Sequence, residues 1–525
     1  AWIYPTRLGD TPQGIMTKWS GKDGIGFGLF LDPRWGICFW TGRGGADGLV
    51  IATDQRPVRA HEWYFVGVSY DAHGPVFVVQ EPLRDWPRDP LYPRQTLHVV
   101  PGLEPGCSEA PFVIGAYAGG DASTSDFAIR GHFEGKIEAP RLYARALTRD
   151  AMLALRDGRP AYGAKASLVA AWDLAADSSS ERVVDRGSHG LHGRVVNAPT
   201  RAVTGHDWTG DESNPRYAPE QYGAIHFHAD DLDDAGWESD FALTVPNDLP
   251  SGVYAARLRA GDAEDHVPFV VRPSAGKPTA PVAVLFPTLT YLAYADEQGT
   301  TNQYAPSYAA PRQNPAADAA ELAYLRAHNL LSLYDFHADG SGVSLSSRFR
   351  PILNLRPKAR MRHIDAPHGF AADLYLVDWL DHEGIAFDAI TDEDLHADGR
   401  SLLDGYKVVV TGSHPEYWTR HMLDALDGYL GAGGRLMYLG GNGFYWVTSI
   451  DERRPHLIEV RRWGGTGAWK AEPGEYHHAT TGELGGLWRN RGWAPQRTVG
   501  VGFTAQGFDT ALPIGIKLSR RGRDR

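Results

Sequence analysis

The chain has 525 residues, 42% of them apolar and 22% charged, with 52 basic against 64 acidic residues and a net charge of −12. These proportions are those of a folded globular chain of about three domains and exclude intrinsic disorder. The acidic balance argues against nucleic acid as a partner, and no apolar run approaches the about 18 residues of a membrane-spanning helix, so no membrane partner is expected.

The 60 Gly, 35 Pro, 16 Trp and 23 Tyr residues favour a β-rich architecture with many turns. No charged segment followed by an apolar one opens the chain, which starts inside an expected strand at 1–5, as a fragment or processed form would. Two cysteines, Cys38 and Cys107, in so long a chain fit the reducing cytosol and a cytoplasmic location. The basic stretch 517–525 reads as a chain end rather than a nucleic-acid arm.

In chain order, residues 25–31, 37–40, 62–69, 76–80 and 111–117 are short β-rich runs punctuated by Gly, Pro and Asp. Their spacing predicts a two-sheet sandwich over 1–205. The run 131–147, followed by a helical pattern at 148–156, resembles the closing strand of laminin-G/concanavalin-like lectin sandwiches, and 183–193 resembles another strand and turn of that fold. Residues 206–273 read as a small, incomplete immunoglobulin-like β region with strands at 241–246, 252–259 and 266–271. A Pro/Gly linker follows at 272–281.

From 282 the pattern changes. Apolar strands at 282–286, 388–391, 407–411 and 435–439 alternate with helical patterns at 316–329, 371–382 and 422–431. That alternation predicts a doubly wound parallel α/β domain over 276–525, with its chemistry in the loops after the strand ends. Three such loops stand out, at 287–297, 412–418 and 440–446, dense in Gly, His, Glu, Asn and aromatics.

The domain has no cysteine nucleophile, because both cysteines precede it. A G-x-S-x-G elbow is absent, since Gly412-Ser413 runs into His-Pro, and no dinucleotide or phosphate loop occurs. Hard oxygen donors with one histidine remain, a set suited to a Lewis-acid metal.

Five motifs then carry a resemblance. Thr290-Tyr-Leu-Ala-Tyr-Ala295, Leu333-Tyr-Asp335, Asn354-Leu-Arg-Pro-Lys358, Thr411-Gly-Ser-His-Pro-Glu-Tyr417 and Pro473-Gly-Glu-Tyr-His477 together resemble the N,N-dimethylformamidase large (beta) subunit family. The resemblance spans essentially the whole chain. It implies a catalytic domain of glutamine-amidotransferase-like, flavodoxin-like type and a mononuclear Fe(III) held by Tyr294, Tyr334 and Glu416. It implies hydrolysis of N,N-dimethylformamide or a similar small N-alkyl amide, a small subunit as partner, and association between large subunits. It also implies a C-terminal portion absent here, since after 507–509 the chain no longer resembles the family.

His414 is assigned by the resemblance to the active site, as proton donor or acceptor. Asn442 could donate to a developing oxyanion, and Glu416 counts among the catalytic residues as well as the ligands. Thr290, one turn before Tyr294, is expected to support the site, and Phe444, Tyr445 and Trp446 to wall a small pocket or simply pack. His226 and His228 alternate on one strand like a zinc or copper pair, but their place away from the sheet edge favours a structural role. His477-His478 reads as a solvated loop pair, and Asp296-Glu297 as loop-holding residues. The rival reading is a carbohydrate-binding lectin-like module on a non-catalytic α/β scaffold.

Overall fold

A computed structural model describes residues 1–502 apart from 46–47, 54, 72–74, 85–99, 102–103, 121–127, 162, 275, 299–314, 363–364 and 466. The basic tail and the stretch from 507 onward lie outside the described residues.

Two mostly antiparallel sheets dominate the first half. One runs Thr200–Val203, Ala224–Phe227, Gly135–Glu138, Trp2–Pro5, Tyr64–Ser69, Pro75–Pro82, Val100–Pro101. The other runs Ile129–Arg130, Tyr117–Ala118, Gln13–Ser20, Ile25–Asp32, Gly36–Arg43, Leu49–Thr53, with Val113–Ile114 also paired to Gln13–Ser20. Ile3, Val66, Val76, Val78 and Ile137 of the first sheet and Ile15, Leu29, Leu31, Ile37 and Phe39 of the second form one buried cluster. The sheets therefore face each other across a shared core, and each such side chain contributes about 1.5–3 kcal/mol on burial.

The helix Arg149–Arg156 starts where Thr148 Oγ1 accepts the Ala151 N–H. Its Met152 packs with Trp2, Phe65 and Phe77. The 183–193 motif is a hairpin turn closed by Asp185. The Asp185 carboxylate accepts N–H bonds from Ala171, Gly187 and Leu191 at 2.8, 2.7 and 2.8 Å.

Ala224–Phe227 pairs antiparallel with Gly135–Glu138 and Thr200–Val203, so the first sheet draws strands from beyond residue 205. The strand expected at 241–246 does not form: Phe241, Leu243 and Val245 are exposed, and no neighbouring strand takes up their backbone groups. Gly252–Ala260 and Ala263–Val271 make a two-stranded hairpin. It leans on the second half through Val253 and Val270, and the Ala389 N–H donates to Ser251 Oγ at 2.8 Å.

The second half is built on a parallel sheet in the order Phe387–Thr391, Val282–Phe286, Val408–Thr411, Arg435–Met437. Ala283 and Leu285 join one buried cluster with Met422, Leu423 and Leu426 of the helix Arg420–Gly431. Val284 and Phe286 join another with Phe370 and Leu380 of the helix Phe370–His382. Successive side chains of a strand point to opposite faces, so helices cover both faces and the strand reads as a continuous apolar run. Parallel strands place their C-terminal ends on one edge, which gathers the 287–297, 412–418 and 440–446 loops.

The halves meet at buried polar contacts. Lys136 Nζ lies 2.5 Å from Glu475 Oε1, which also accepts from the Thr204 N–H and hydroxyl at 2.9 and 2.7 Å. Cys38 is buried and Cys107 exposed, and no disulfide joins them. Among the described residues no helix is long and apolar enough to cross a membrane.

Candidate active site

Tyr294 closes the short helix Thr288–Ala293 that follows the strand Val282–Phe286, its N–H donating to Thr290 O at 3.0 Å. Two side chains hold this turn. Asn354 donates from Nδ2 to Tyr294 O at 2.6 Å, and Asp296 Oδ1 accepts from the Leu353 N–H at 2.7 Å. Asp296 adopts a left-handed backbone (φ 63°), so the loop-holding role read for this acid matches its bonding.

Tyr334 sits on the turn 332–335, where Asp335 Oδ2 accepts from Ser332 N and Oγ at 2.9 and 2.8 Å. Arg350 ties the two tyrosine turns together, donating to Leu331 O at 2.5 Å and to Ala295 O at 2.9 Å. Glu416 follows the strand Val408–Thr411. Thr290 Oγ1 accepts its N–H at 3.1 Å and that of Tyr417 at 3.4 Å. The threonine expected to support the site thus locks the carboxylate loop onto the tyrosine helix. At the strand end, Gly412 is required: a Cβ there would lie 2.6 Å from both Asp373 Oδ2 and Pro287 Cδ.

The three side chains converge. The Tyr294 hydroxyl donates to Glu416 Oε2 at 2.9 Å, Tyr334 Oη lies 2.7 Å from Tyr294 Oη, and Tyr334 Oη lies 3.1 Å from Glu416 Oε2. The two rings stack at 4.2 Å. Three close oxygen contacts share only two hydroxyl protons, so as plain phenols the cluster has one contact without a hydrogen. Three oxygens each about 2.0–2.2 Å from one ion would sit about 3 Å apart, as these do. Burial first, then the Glu416 charge, pushes both phenol pKa values far above 10. Only a strongly polarising cation offsets that in favour of the phenolates.

Burial alone would raise the Glu416 carboxyl, but the neighbouring His414 and the Arg462 charge outweigh it and hold the pKa at about 2. The carboxylate is therefore ionised and ready to bind a cation. His414 Nε2 lies 3.2 Å from Glu416 Oε2 but is not aligned to hydrogen-bond with it, leaving a buried nitrogen without a hydrogen-bond partner beside the cluster. Hard oxygen donors, an ionised carboxylate and this orphaned nitrogen fit the ferric ion that the sequence resemblance implies.

Asn442 Nδ2 and Trp446 Nε1 both donate to Glu416 Oε1 at 3.2 Å. Phe444 and Tyr445 are buried, Phe444 edge-on to Trp418 at 4.3 Å, so this loop packs as well as borders the site.

Two residues were not singled out from the sequence. Tyr417 donates to Tyr334 Oη at 2.7 Å. Arg462, fully buried, donates from Nη2 to Tyr417 Oη at 2.7 Å and to Leu333 O at 3.1 Å, with its guanidinium 4.5 Å from the Tyr334 ring centre and 4.4 Å from that of Trp446. Tyr417 adjoins Glu416 in a quoted motif and was findable. Arg462 lies 45 positions further on, with no local signal.

Other expectations resolve differently. His477-His478 is not a solvated pair. Both residues are buried, and His478 is occupied at both nitrogens, by Ser449 Oγ at 2.6 Å and by the Arg461 N–H at 3.2 Å, because the loop folds back against the strand Arg454–Glu459. Among the described residues, groups of His, Asp and Glu close enough to share a metal are His226–His228–Asp339, His228–Asp231–His337 and Glu138–His206–Asp207. A cavity of about 520 Å³ lined by both sheets of the first half shares no residue with the tyrosine cluster.

A family model described as N,N-dimethylformamidase beta subunit-like, C-terminal, matches residues 200–521, more than half of the chain. The match continues beyond 507–509. An N,N-dimethylformamidase beta subunit from Paracoccus aminophilus is 38% identical over 527 residues, covering 97% of this chain and 68% of the relative. One from Alcaligenes sp is 38% identical over 540 residues, with the same coverage of each.

Proposed function

The chain belongs to the N,N-dimethylformamidase beta-subunit family, and on that footing we propose that it is an amide hydrolase cleaving N,N-dimethylformamide, or a similar small N-alkyl amide, to dimethylamine and formate. The observation that carries this reading is the convergence of Tyr294, Tyr334 and Glu416 oxygens within 2.7–3.2 Å at the loop edge of the parallel sheet.

In this reading Tyr294, Tyr334 and Glu416 hold a mononuclear Fe(III). A ferric ion so held supplies Lewis acidity toward the scissile carbonyl. The chain's own groups do the rest. Asn442 keeps one amide hydrogen on Glu416, and its second is free to bond the oxyanion that develops when water adds to the carbonyl carbon. His414 Nε2, without a hydrogen-bond partner, takes a proton from the attacking water and returns one to nitrogen as the C–N bond breaks, releasing neutral dimethylamine. A dialkylformamide has no N–H, so the site needs no acceptor facing nitrogen. Phe444, Tyr445 and Trp446 confine the small apolar N-alkyl groups.

Arg462 and Tyr417 act as positioning residues, orienting Tyr334 through its hydroxyl and its ring face. Three architectural readings accompany the function: a laminin-G/concanavalin-like sandwich that takes in the strand Ala224–Phe227, an incomplete immunoglobulin-like region reduced to the hairpin of residues 252–271, and an amidotransferase-like catalytic domain from 276. A small subunit, association between large subunits and a cytoplasmic location complete the proposal.

The test is amine release from formamide, N-methylformamide, N,N-dimethylformamide, acetamides and glutamine, by protein co-expressed with a small subunit. Preference for the tertiary formamide is expected. Preference for glutamine or for long-chain amides would refute the pocket.

A further inference from the structure

We infer that the buried histidine–carboxylate cluster between the strand Ala224–Phe227 and the turn after Tyr334 is a second metal site, binding a divalent transition metal of the zinc type through His226, His228 and Asp339. His226 Nε2 lies 3.0 Å and His228 Nε2 3.7 Å from the same oxygen, Asp339 Oδ2, and the three donor atoms lie within 4.8 Å of one another. Three ligands about 2.0–2.2 Å from a tetrahedral zinc ion stand about 3.3 Å apart. The two measured separations bracket that value.

The surroundings orient the donors. His228 Nδ1 lies 3.1 Å from Asp231 Oδ1. A carboxylate that accepts the Nδ1 proton leaves the lone pair on Nε2, the nitrogen facing Asp339, as in the carboxylate–histidine–zinc arrangement. Ser341 Oγ lies 2.6 Å from Asp339 Oδ1 and 3.0 Å from His228 Nε2. Its single proton goes to the nearer carboxylate oxygen, so it does not satisfy Nε2.

Buried carboxylates surround the donors. Asp339 is sealed from solvent, and Asp230 and Asp231 are nearly so. His337 Nδ1 bonds Asp230 at 2.6 Å, and its ring stacks on His228 at 3.7 Å. Lys136, opposite His226 in the sheet register, is engaged by Glu475. Glu134 nearby is also buried, and its Oε2 has no hydrogen-bond partner. Imidazole donors select zinc-type metals over magnesium or calcium.

The ligands come from both halves of the chain. His226 and His228 belong to the first sheet and the residue following its strand. Asp339 lies five residues after Tyr334. The ion would clamp the Tyr334 turn to the first sheet, as a structural site that touches no substrate.

The test is metal analysis of the full chain with its small subunit, comparing wild type with Asp339→Asn, His228→Gln and Glu416→Ala. About one equivalent of a zinc-type metal should persist in Glu416→Ala, whatever becomes of iron there. Affinity for it should fall by about 10- to 100-fold or more in Asp339→Asn. Because a ligand variant could misfold, chelator-stripped wild type is also titrated with Co²⁺, and tetrahedral d–d absorption is expected. No Co²⁺ or Zn²⁺ uptake outside the Glu416 site would overturn the inference, leaving a hydrogen-bonded His–Asp network. So would unchanged zinc content in folded Asp339→Asn.

Discussion

Two buried polar clusters flank the Tyr334 turn and differ in how they are built. The tyrosine cluster places one carboxylate among hydroxyls, backed by His414 and Arg462; Tyr294 and Glu416 come from strand-end loops of the parallel sheet, and Tyr334 from the turn 332–335 packed against them. The seam cluster and the neighbouring Lys136–Glu475 pair instead join the first sheet to the second half of the chain, His226 to Asp339 and Lys136 to Glu475. The first arrangement suits chemistry, with a carboxylate and two phenols beside an unpartnered histidine nitrogen. The second suits assembly, because its groups are drawn from both halves of the chain.

If that division holds, variants in the first cluster should lose turnover while keeping the fold, and variants in the second should do the reverse. The largest effect is expected for Glu416→Ala, which removes the central carboxylate: bound iron and activity should both vanish while circular dichroism stays unchanged. His414→Ala should retain iron, yet turnover should fall by about 10²–10⁴-fold, the usual worth of positioned proton transfer. Loss of iron there would make histidine a ligand instead.

On the assembly side, Lys136→Ala leaves Glu475 buried and unpaired and should cost about 3–5 kcal/mol in denaturant unfolding. Glu475 also gives this side a pH signature. Burial alone would raise its pKa, but Lys136 and Thr204 outweigh that and lower it. A carboxyl with a depressed native pKa stabilises above its unfolded value of about 4.3, and that stability is lost as pH falls from there through the native value. Glu475→Gln should therefore be less stable at pH 7 and flatten the acid limb of the stability curve. An unchanged acid limb would remove Glu475 from the junction's charge balance. The smallest effect is expected for Thr290→Val, which strips the acceptor from the Glu416 and Tyr417 N–H groups, about 1–3 kcal/mol, with iron retained.

How far the sequence revealed each region follows the same division. The strand Val282–Phe286 is legible to the residue because a parallel strand buried on both faces must be continuously apolar. Tyr294, Tyr334 and Glu416 were legible because each lies in a short, distinctive motif. The strand expected at 241–246 failed because alternation in Phe241, Leu243 and Val245 specifies a strand only where a partner and a core exist, and here those side chains face solvent. The reach of the first sheet to Ala224–Phe227, the burial of Arg462 beneath Tyr334, and the meeting of Asp339 with His226 all depend on tertiary pairing. No local periodicity encodes them. His226 and His228 were visible as a pair, but not the carboxylates that complete them.

Joint action of Tyr294 and Tyr334 as iron-binding phenolates is what the proposed function most depends on. The most direct measurement is the visible absorption of iron-loaded protein, with iron quantified in the same sample, for wild type, Tyr334→Phe and Tyr445→Phe. A phenolate-to-iron charge-transfer band is expected in wild type, weakened or shifted in Tyr334→Phe and unchanged in Tyr445→Phe. Colourless wild-type protein carrying stoichiometric ferric iron would contradict it.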